Sequence, residues 1–529
     1  MYIDLQPLHE EGRDCLEDAI ITAAMCINKE YELAFSEAWN FALRRKETSA
    51  SGLLGTRIFS NIGNIRGLLK KYYGVVVNAH SEKDPMKVIE EIKYELAIGR
   101  PVLILLDCFN CPWHNSYKKN HSNHACLVTG FVENDLYCID SQPVNTGSVL
   151  TLENFINGFI GYSTFSVISE EREEFNLKKC IEDRLLKLYT NSTDSSAFND
   201  IRRLSQEIAD INLTEEFNGY TEIWRVPLLS NLHQVTGGRK HYAKFLYYLC
   251  AHYRIDALFH ISEQLEYISS AWSKARALLI KSSIMNSKNS INHTVSNIIM
   301  ETADIEEKVA CELEELINNK NEYTFCKLSP VKYTNNKLRA NNEISAYTFL
   351  DLQNFFNSKG IGSEDVNEYN KADLSSTGYF ILNNNLCDDS VWNVGQMKFK
   401  FPRINGTDYD NISCCGQTID IGNEEYEHIM FLGTSEWGSY KEKIKMNFTN
   451  GRTGFYELAI SDWAVMPVFN EEIAWEGNGA YRNNNSIELT NEKVRIFAKT
   501  SYMGRRGLIS SITLPDCQGI HLFAITLAK

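Results

Sequence analysis

The chain has 529 residues, 43% hydrophobic and 23% charged, which excludes a disordered or fibrous sequence; at about 150 residues per domain it holds three or four domains. Its 53 Lys and Arg against 68 Asp and Glu leave a net charge of −15, and no basic cluster is longer than Arg44-Arg45-Lys46, which argues against a nucleic-acid partner. No apolar run approaches the roughly 20 residues that span a bilayer. The opening MYIDLQPLHEEGRDC has no basic stretch leading into an apolar one, and fourteen cysteines are too dilute here for a disulfide scaffold. The expectation is a cytoplasmic protein with reduced thiols and no membrane contact.

Residues 1–172 mix helical and strand patterns. The stretch 15–28 (CLEDAIITAAMCIN) predicts a helix, and 85–98 predicts an amphipathic helix closed by Gly99. A strand follows at 102–107, then a strand, a turn at 133–135 and another strand ending near Asp140. Between 173 and 335 helical periodicity dominates, at 197–211, 239–253, 257–281 and 297–318, with Tyr242, Phe245, Leu246 and Leu249 as a core stripe. Residues 319–342, rich in Asn and Lys, read as a linker. From 345 to 529 short alternating runs such as IDIG and HIMFLG, broken by Asn, Gly and Asp, predict a β-sandwich. The fold class is multidomain: an α+β front domain, an all-α bundle and an all-β sandwich.

The residues that suggest chemistry are Cys15, His124 and Asp140. Asp14 followed by Glu17 has the form of a capping box, which puts Cys15 in the first turn of a helix, where unpaired N–H groups favour a thiolate. Asp14, Glu17 and Asp18 oppose that by crowding the sulfur with negative charge. His124 opens one strand and Asp140 closes the next, so the carboxylate can fix the tautomer of a histidine base. A nucleophile on an N-terminal helix with base and orienter on later strands is the papain-like order. The competing reading leaves Cys15 as one ordinary thiol among fourteen.

The stretch GRPVLILLDCFNCPWHNSYKKNHSNHACLVTGFVENDLYCIDSQP resembles the core of the butirosin-biosynthesis H-type N-terminal domain, a relative of papain-fold cysteine peptidases. Gly99, Pro101, Val102, Asp107, Phe109, Pro112, Tyr117, His121, His124 and Gly130 carry the resemblance, and Asp140 falls where the third triad member is expected. GGRKHYAKFLYYL at 237–249 and Trp272 resemble the helical companion domain often fused to it. The resemblance implies a cysteine acyltransferase that passes an acyl group from a carrier-protein thioester to an amine in natural-product assembly. A cysteine peptidase or amidase on the same triad is the first alternative. A non-catalytic protein that binds a glycan or a partner is the second.

Related peptidases place an oxyanion-binding Gln shortly before the cysteine. Here that position is His9, with Gln6 the nearest amide. Asp107, Tyr117 and His121 are further candidates for orienting substrate. Cys108 and Cys111 with His114, His121 and His124 also offer ligands for tetrahedral zinc, but a zinc-bound His124 could not act as a base. Cys108 follows directly on a strand, which ties its orientation to the sheet. The expectation is therefore no metal and no cofactor. The C-terminal stretch resembles the galactose-binding-like β-sandwich modules that accompany glycoside hydrolases, through Gly416, Gln417, Gly433, Asn450, Gly451, Asp462 and Trp463. Trp437 and Trp463 are expected in the sandwich core rather than on a sugar-binding face.

Overall fold

The computed structural model describes residues 2–28, 30–46, 52–142, 144–168, 173–190, 195–220, 222–284, 288–318, 344, 346–364, 371–404, 408–483, 486–504 and 507–529. The expected linker at 319–342 lies outside the described residues.

The front region is built on a six-stranded antiparallel sheet. Its elements are α1 (Cys15–Asn28), β1 (Val75–Ala79), α2 (Pro85–Ala97), β2 (Val102–Asp107), β3 (Asn123–Val132), β4 (Asp135–Ser141), β5 (Val144–Leu150), α3 (Leu152–Gly158) and β6 (Phe159–Val167). The strands lie in the order β1-β6-β2-β3-β4-β5. Asp84 caps α2 by accepting from the Met86 N–H at 3.0 Å, and Gly99 leaves the helix with φ +76°, a conformation that favours glycine.

Alternation along the strands sends side chains to two cores. Ile104, Cys126 and Cys138 join Val88, Ile92 and Phe155 under α2 and α3. Leu103, Leu127 and Ile139 go to a larger core with α1.

That larger core does not stop at the front region. It continues into α4 (Leu177–Tyr189), α5 (Ala197–Ala209), α6 (Pro227–Tyr253), α7 (Ala257–Ile284) and α8 (Lys288–Asn318). The stripe Tyr242, Phe245, Leu246 and Leu249 is fully buried in it. At its centre the buried Glu306 carboxylate accepts from Arg239 (2.8 and 2.9 Å) and from the indoles of Trp39 (2.8 Å) and Trp272 (2.9 Å). A buried carboxylate is tolerable only with such a full set of donors. Trp39 belongs to the front region, so front and bundle are consecutive in sequence but share one interior.

Helix α6 starts at Pro227 rather than near 239, although Gly237 and Gly238 in its middle weaken an isolated helix. The glycines serve a close approach: a Cβ on Gly237 would stand 2.5 Å from the Gly12 Cα, and one on Gly238 would stand 2.5 Å from the Ala38 carbonyl oxygen.

The C-terminal region is a β-sandwich of an eight-stranded and a four-stranded sheet. Ile429, Phe431, Leu522 and Ile525 of the large sheet meet Ile444, Met446, Leu458 and Ile512 of the small one. The hairpin Val391–Val394/Met397–Lys400 covers the other face of the large sheet, so its central strand His428–Ser435 is buried throughout. Trp463 packs in that second core, and Trp437 is half-buried at the junction with the bundle, its indole donating to the Ser375 carbonyl at 2.9 Å. Lys281 pairs with Glu436 at 2.6 Å and Arg276 donates to the Trp437 carbonyl at 3.1 Å, which fastens the sandwich to α7. Among the described residues no helix is long and apolar enough to cross a membrane.

Candidate active site

The capping box forms at the start of α1: the Glu17 N–H donates to Asp14 Oδ1 at 2.8 Å, and the Asp14 N–H donates to Glu17 Oε2 at 2.9 Å. Cys15 is therefore the first residue of the helix, half-buried, with no intrahelical acceptor for its own N–H. The acidic crowding around it is answered in two ways. Arg13 pairs with Asp18 at 2.6 Å, both side chains fully buried. Burial and the neighbouring Asp14 charge push the Glu17 pKa up to about 7, so near neutrality much of its charge is gone.

Helix α1 packs on β3 and β4, which brings the cysteine to His124 and Asp140. His124 Nε2 lies 2.5 Å from Asp140 Oδ2, with the two residues 3% and 1% exposed. Its other nitrogen is thereby left to face Cys15, and an N–H held there toward the sulfur is one of the contributions that favour the protonated ring. Burial alone would lower the His124 pKa. The Asp140 charge, with hydrogen bonds to Asp140 and Cys15, overrides burial and raises it to about 10. The imidazole thus keeps its proton at neutral pH and can hold it beside the sulfur. Asp140 is itself held by two donors, the Trp113 indole at 2.7 Å and the Gln142 N–H at 2.9 Å.

The other sequence candidates fall elsewhere. His121 pairs with Asp107 at 2.6 Å and stacks on Phe109, with its side chain 73% exposed. Asp107 also accepts from the Phe109 and Ser122 N–H groups. Burial raises its pKa, but the His121 bond and these backbone donors outweigh it and lower it below the usual carboxylate value. Asp107 thus closes the loop 107–122. Tyr117 sits within that loop, its N–H on the His114 carbonyl.

The two oxyanion candidates both lie ahead of α1 and differ in exposure. Gln6 is exposed and makes no hydrogen bond to Cys15, His124 or Asp140 among the described residues. His9 Nδ1 is taken by Asp18 at 2.7 Å.

Sequence reasoning missed Trp113 and Gln142. Gln142 braces the nucleophile turn by donating to the Arg13 carbonyl (2.8 Å) and to Asp18 (2.9 Å). Trp113 was visible inside the CPWHNSY stretch, but nothing in a linear pattern ties it to Asp140.

The sulfur and imidazole groups that could hold a metal are Cys108, His114 and His124, whose ligand atoms lie within 4.8 Å of one another. Cys111 and His121 are not in that set. Cys108 is not oriented by the strand as its position suggested: it opens a 3₁₀ turn and points its sulfur at His114 Nε2, 3.6 Å away. His114 Nδ1 accepts from the Ser116 N–H at 3.1 Å, so Nε2 carries the hydrogen and donates it to sulfur. Burial, with the neighbouring His124, lowers the His114 pKa to about 4. Cys108 and His114 are thus hydrogen-bonded to each other, while His124 Nε2 is taken by Asp140.

Residues 346–529 match the family described as AziU2-like β-sandwich domain, and residues 16–141 match butirosin biosynthesis protein H, N-terminal. No curated protein matches the chain. The second match contains His124 and Asp140 and begins one residue after Cys15, which the geometry supplies. The chain thus matches the N-terminal family of butirosin biosynthesis protein H at its front and the AziU2-like sandwich at its back, a pairing that suggests a biosynthetic enzyme of the papain-like type.

Proposed function

We propose that the protein is a cysteine acyltransferase in natural-product biosynthesis, with Cys15 as nucleophile, His124 as acid and base, and Asp140 as the group that orients His124. The observation that carries this reading is the line from the half-buried Cys15 to the buried pair His124–Asp140, with Trp113 holding its far end.

In the first half-reaction the Cys15 thiolate attacks the thioester carbonyl. The tetrahedral intermediate collapses, the carbon–sulfur bond to the carrier breaks, and the departing thiolate takes the His124 proton. In the second half an amine attacks the Cys15 thioester. His124 accepts the amine proton, an amide forms, and Cys15 leaves as the thiolate. A thioester is already activated, so the chain's task is to orient the amine and keep water away. The Cys15 N–H at the helix start is the oxyanion donor this geometry offers in place of a glutamine.

The test is intact-mass spectrometry after incubation with an acyl thioester, free and on a carrier protein. The wild type is expected to gain one acyl group and Cys15→Ala none. An equal adduct on Cys15→Ala overturns the assignment. Adding an amine separates transferase from hydrolase: amide product supports transfer, while free acid alone moves the reading to a peptidase or amidase.

A further inference from the structure

The segment that delivers Cys15 to its site is gripped by all three regions of the molecule. Within the front region the Leu8 N–H donates to Thr22 Oγ1 at 3.0 Å and Arg13 donates to the Leu8 carbonyl at 3.2 Å. From the bundle, His233 Nε2 accepts from the Gly12 N–H at 3.2 Å, Lys240 Nζ reaches Glu11 Oε2 at 3.3 Å, and Ser273 Oγ donates to Glu11 Oε1 at 3.4 Å. From the sandwich, the Ser439 N–H donates to the same Glu11 Oε2 at 3.3 Å.

Glu11 is buried, at 9% exposure, so its carboxylate depends on these donors. Burial raises its pKa, but the Lys240 charge and the Ser439 N–H outweigh it and lower it below the usual carboxylate value. His233, whose pKa burial lowers to about 3, stays neutral and contributes only as the acceptor for Gly12. The next residue cannot move aside. Gly12 has φ +89°, and a Cβ there would stand 2.1 Å from the Gly237 Cα, so the chain turns against α6 before entering Arg13, Asp14 and Cys15. A shift of Glu11 therefore has to pass into the helix start, because the turn between them has no slack.

We infer that Glu11 is a positioning residue: clamped between Lys240 of the bundle and Ser439 of the sandwich, it sets the start of α1 so that the Cys15 sulfur meets His124. The β-sandwich is then part of the active-site framework, and its docking is a condition of reactivity. The inference rests on the reading of Cys15 as the nucleophile. It goes further in giving a catalytic consequence to a region whose own family match covers no member of the trio.

The experiment is alkylation of Cys15 by iodoacetamide in the full-length protein, followed by peptide mass spectrometry across pH, with melting temperature measured in parallel. In the wild type, Cys15 is expected to label at least tenfold faster than glutathione at about pH 6.5. In Glu11→Ala the rate at that pH falls at least tenfold, toward that of glutathione, and the pH profile changes with it. Glu11→Gln keeps an oxygen for the Ser439 N–H and restores part of the rate. Lys240→Met, which leaves Glu11 in place, shows a smaller shift in the same direction and covers the case in which Glu11→Ala fails to fold.

A merely structural Glu11 would lower the melting temperature and leave the pH profile of Cys15 where it was, and that result overturns the inference. A wild-type Cys15 that labels no faster than a free thiol overturns both this inference and the nucleophile assignment. A reactive wild type with unshifted variants overturns this one alone.

Discussion

Two histidine–carboxylate pairs stand within a few residues of each other, and they could hardly be more alike in length: His124–Asp140 at 2.5 Å and His121–Asp107 at 2.6 Å. Their surroundings differ. The first is shut between β3, β4 and α1, and its carboxylate has two further protein donors besides the histidine. The second lies on the outer loop, with His121 mostly in water and Asp107 occupied in closing the turn. The chemistry of a pair is therefore set less by its own contact than by what excludes water from it. In a low-dielectric setting the Asp140 charge can carry the His124 pKa to about 10.

The sharpest way to break the comparison is to truncate each histidine. His124→Ala is expected to lower acyl-enzyme formation by roughly 10²–10⁴-fold, the usual contribution of a positioned acid–base group. Stopped-flow or quenched mass measurements of the adduct would show it, and a loss below tenfold would deny His124 the role of base. Next in size comes Asp140→Asn, for which a loss of roughly 10²-fold or more is expected, because the amide no longer stabilises the imidazolium or fixes its tautomer. The same variant should move the His124 titration, followed by NMR, from about 10 down toward the ordinary histidine value.

A smaller effect sharpens the electrostatic half of the argument. The folded-state pKa of His124 is raised, so the stability it contributes is fully present below the unfolded value of about 6.5 and is lost as pH climbs through about 10. Wild-type melting temperature is expected to fall across that window, and His124→Gln should flatten the part of the slope that belongs to this group. An unchanged slope in the variant would assign the pH dependence to other residues. The smallest effect belongs to the outer pair. His121→Ala should change the rate by less than about threefold and stability by at most about 1 kcal/mol, as for other exposed ion pairs. A loss comparable to that of His124→Ala would place His121 on the substrate path.

Much of the front region was legible because local rules govern it. The Asp14–Glu17 box fixes where α1 begins, and the turn at 133–135 sets β3 against β4, so the places of Cys15, His124 and Asp140 on those elements follow from the sequence. What escaped depends on contacts that are distant in sequence. The three acids around Cys15 looked hostile to a thiolate until Arg13 turned inward onto Asp18. Gln142 sits just past the end of β4 and carries no signal that its amide reaches back under Arg13. Strand alternation does not reach Cys108, which lies one residue beyond the strand's end in a 3₁₀ turn. The first turns of α6 are hidden in the sequence by paired glycines, which make sense only against the Gly12 backbone and the Ala38 carbonyl.

The Glu306 cluster has a consequence for the order in which the protein is made. Synthesis runs from the N-terminus, so the strands and helix bearing Cys15, His124 and Asp140 emerge long before α8. Yet the Trp39 indole, fully buried beside that region, finds its acceptor only when residue 306 has left the ribosome, and Arg239 and Trp272 wait for the same carboxylate. Domains usually fold as units while the chain grows. Here the front region cannot complete its interior on that schedule, and a reactive thiol made first is set into its finished surroundings only after most of the chain has followed it.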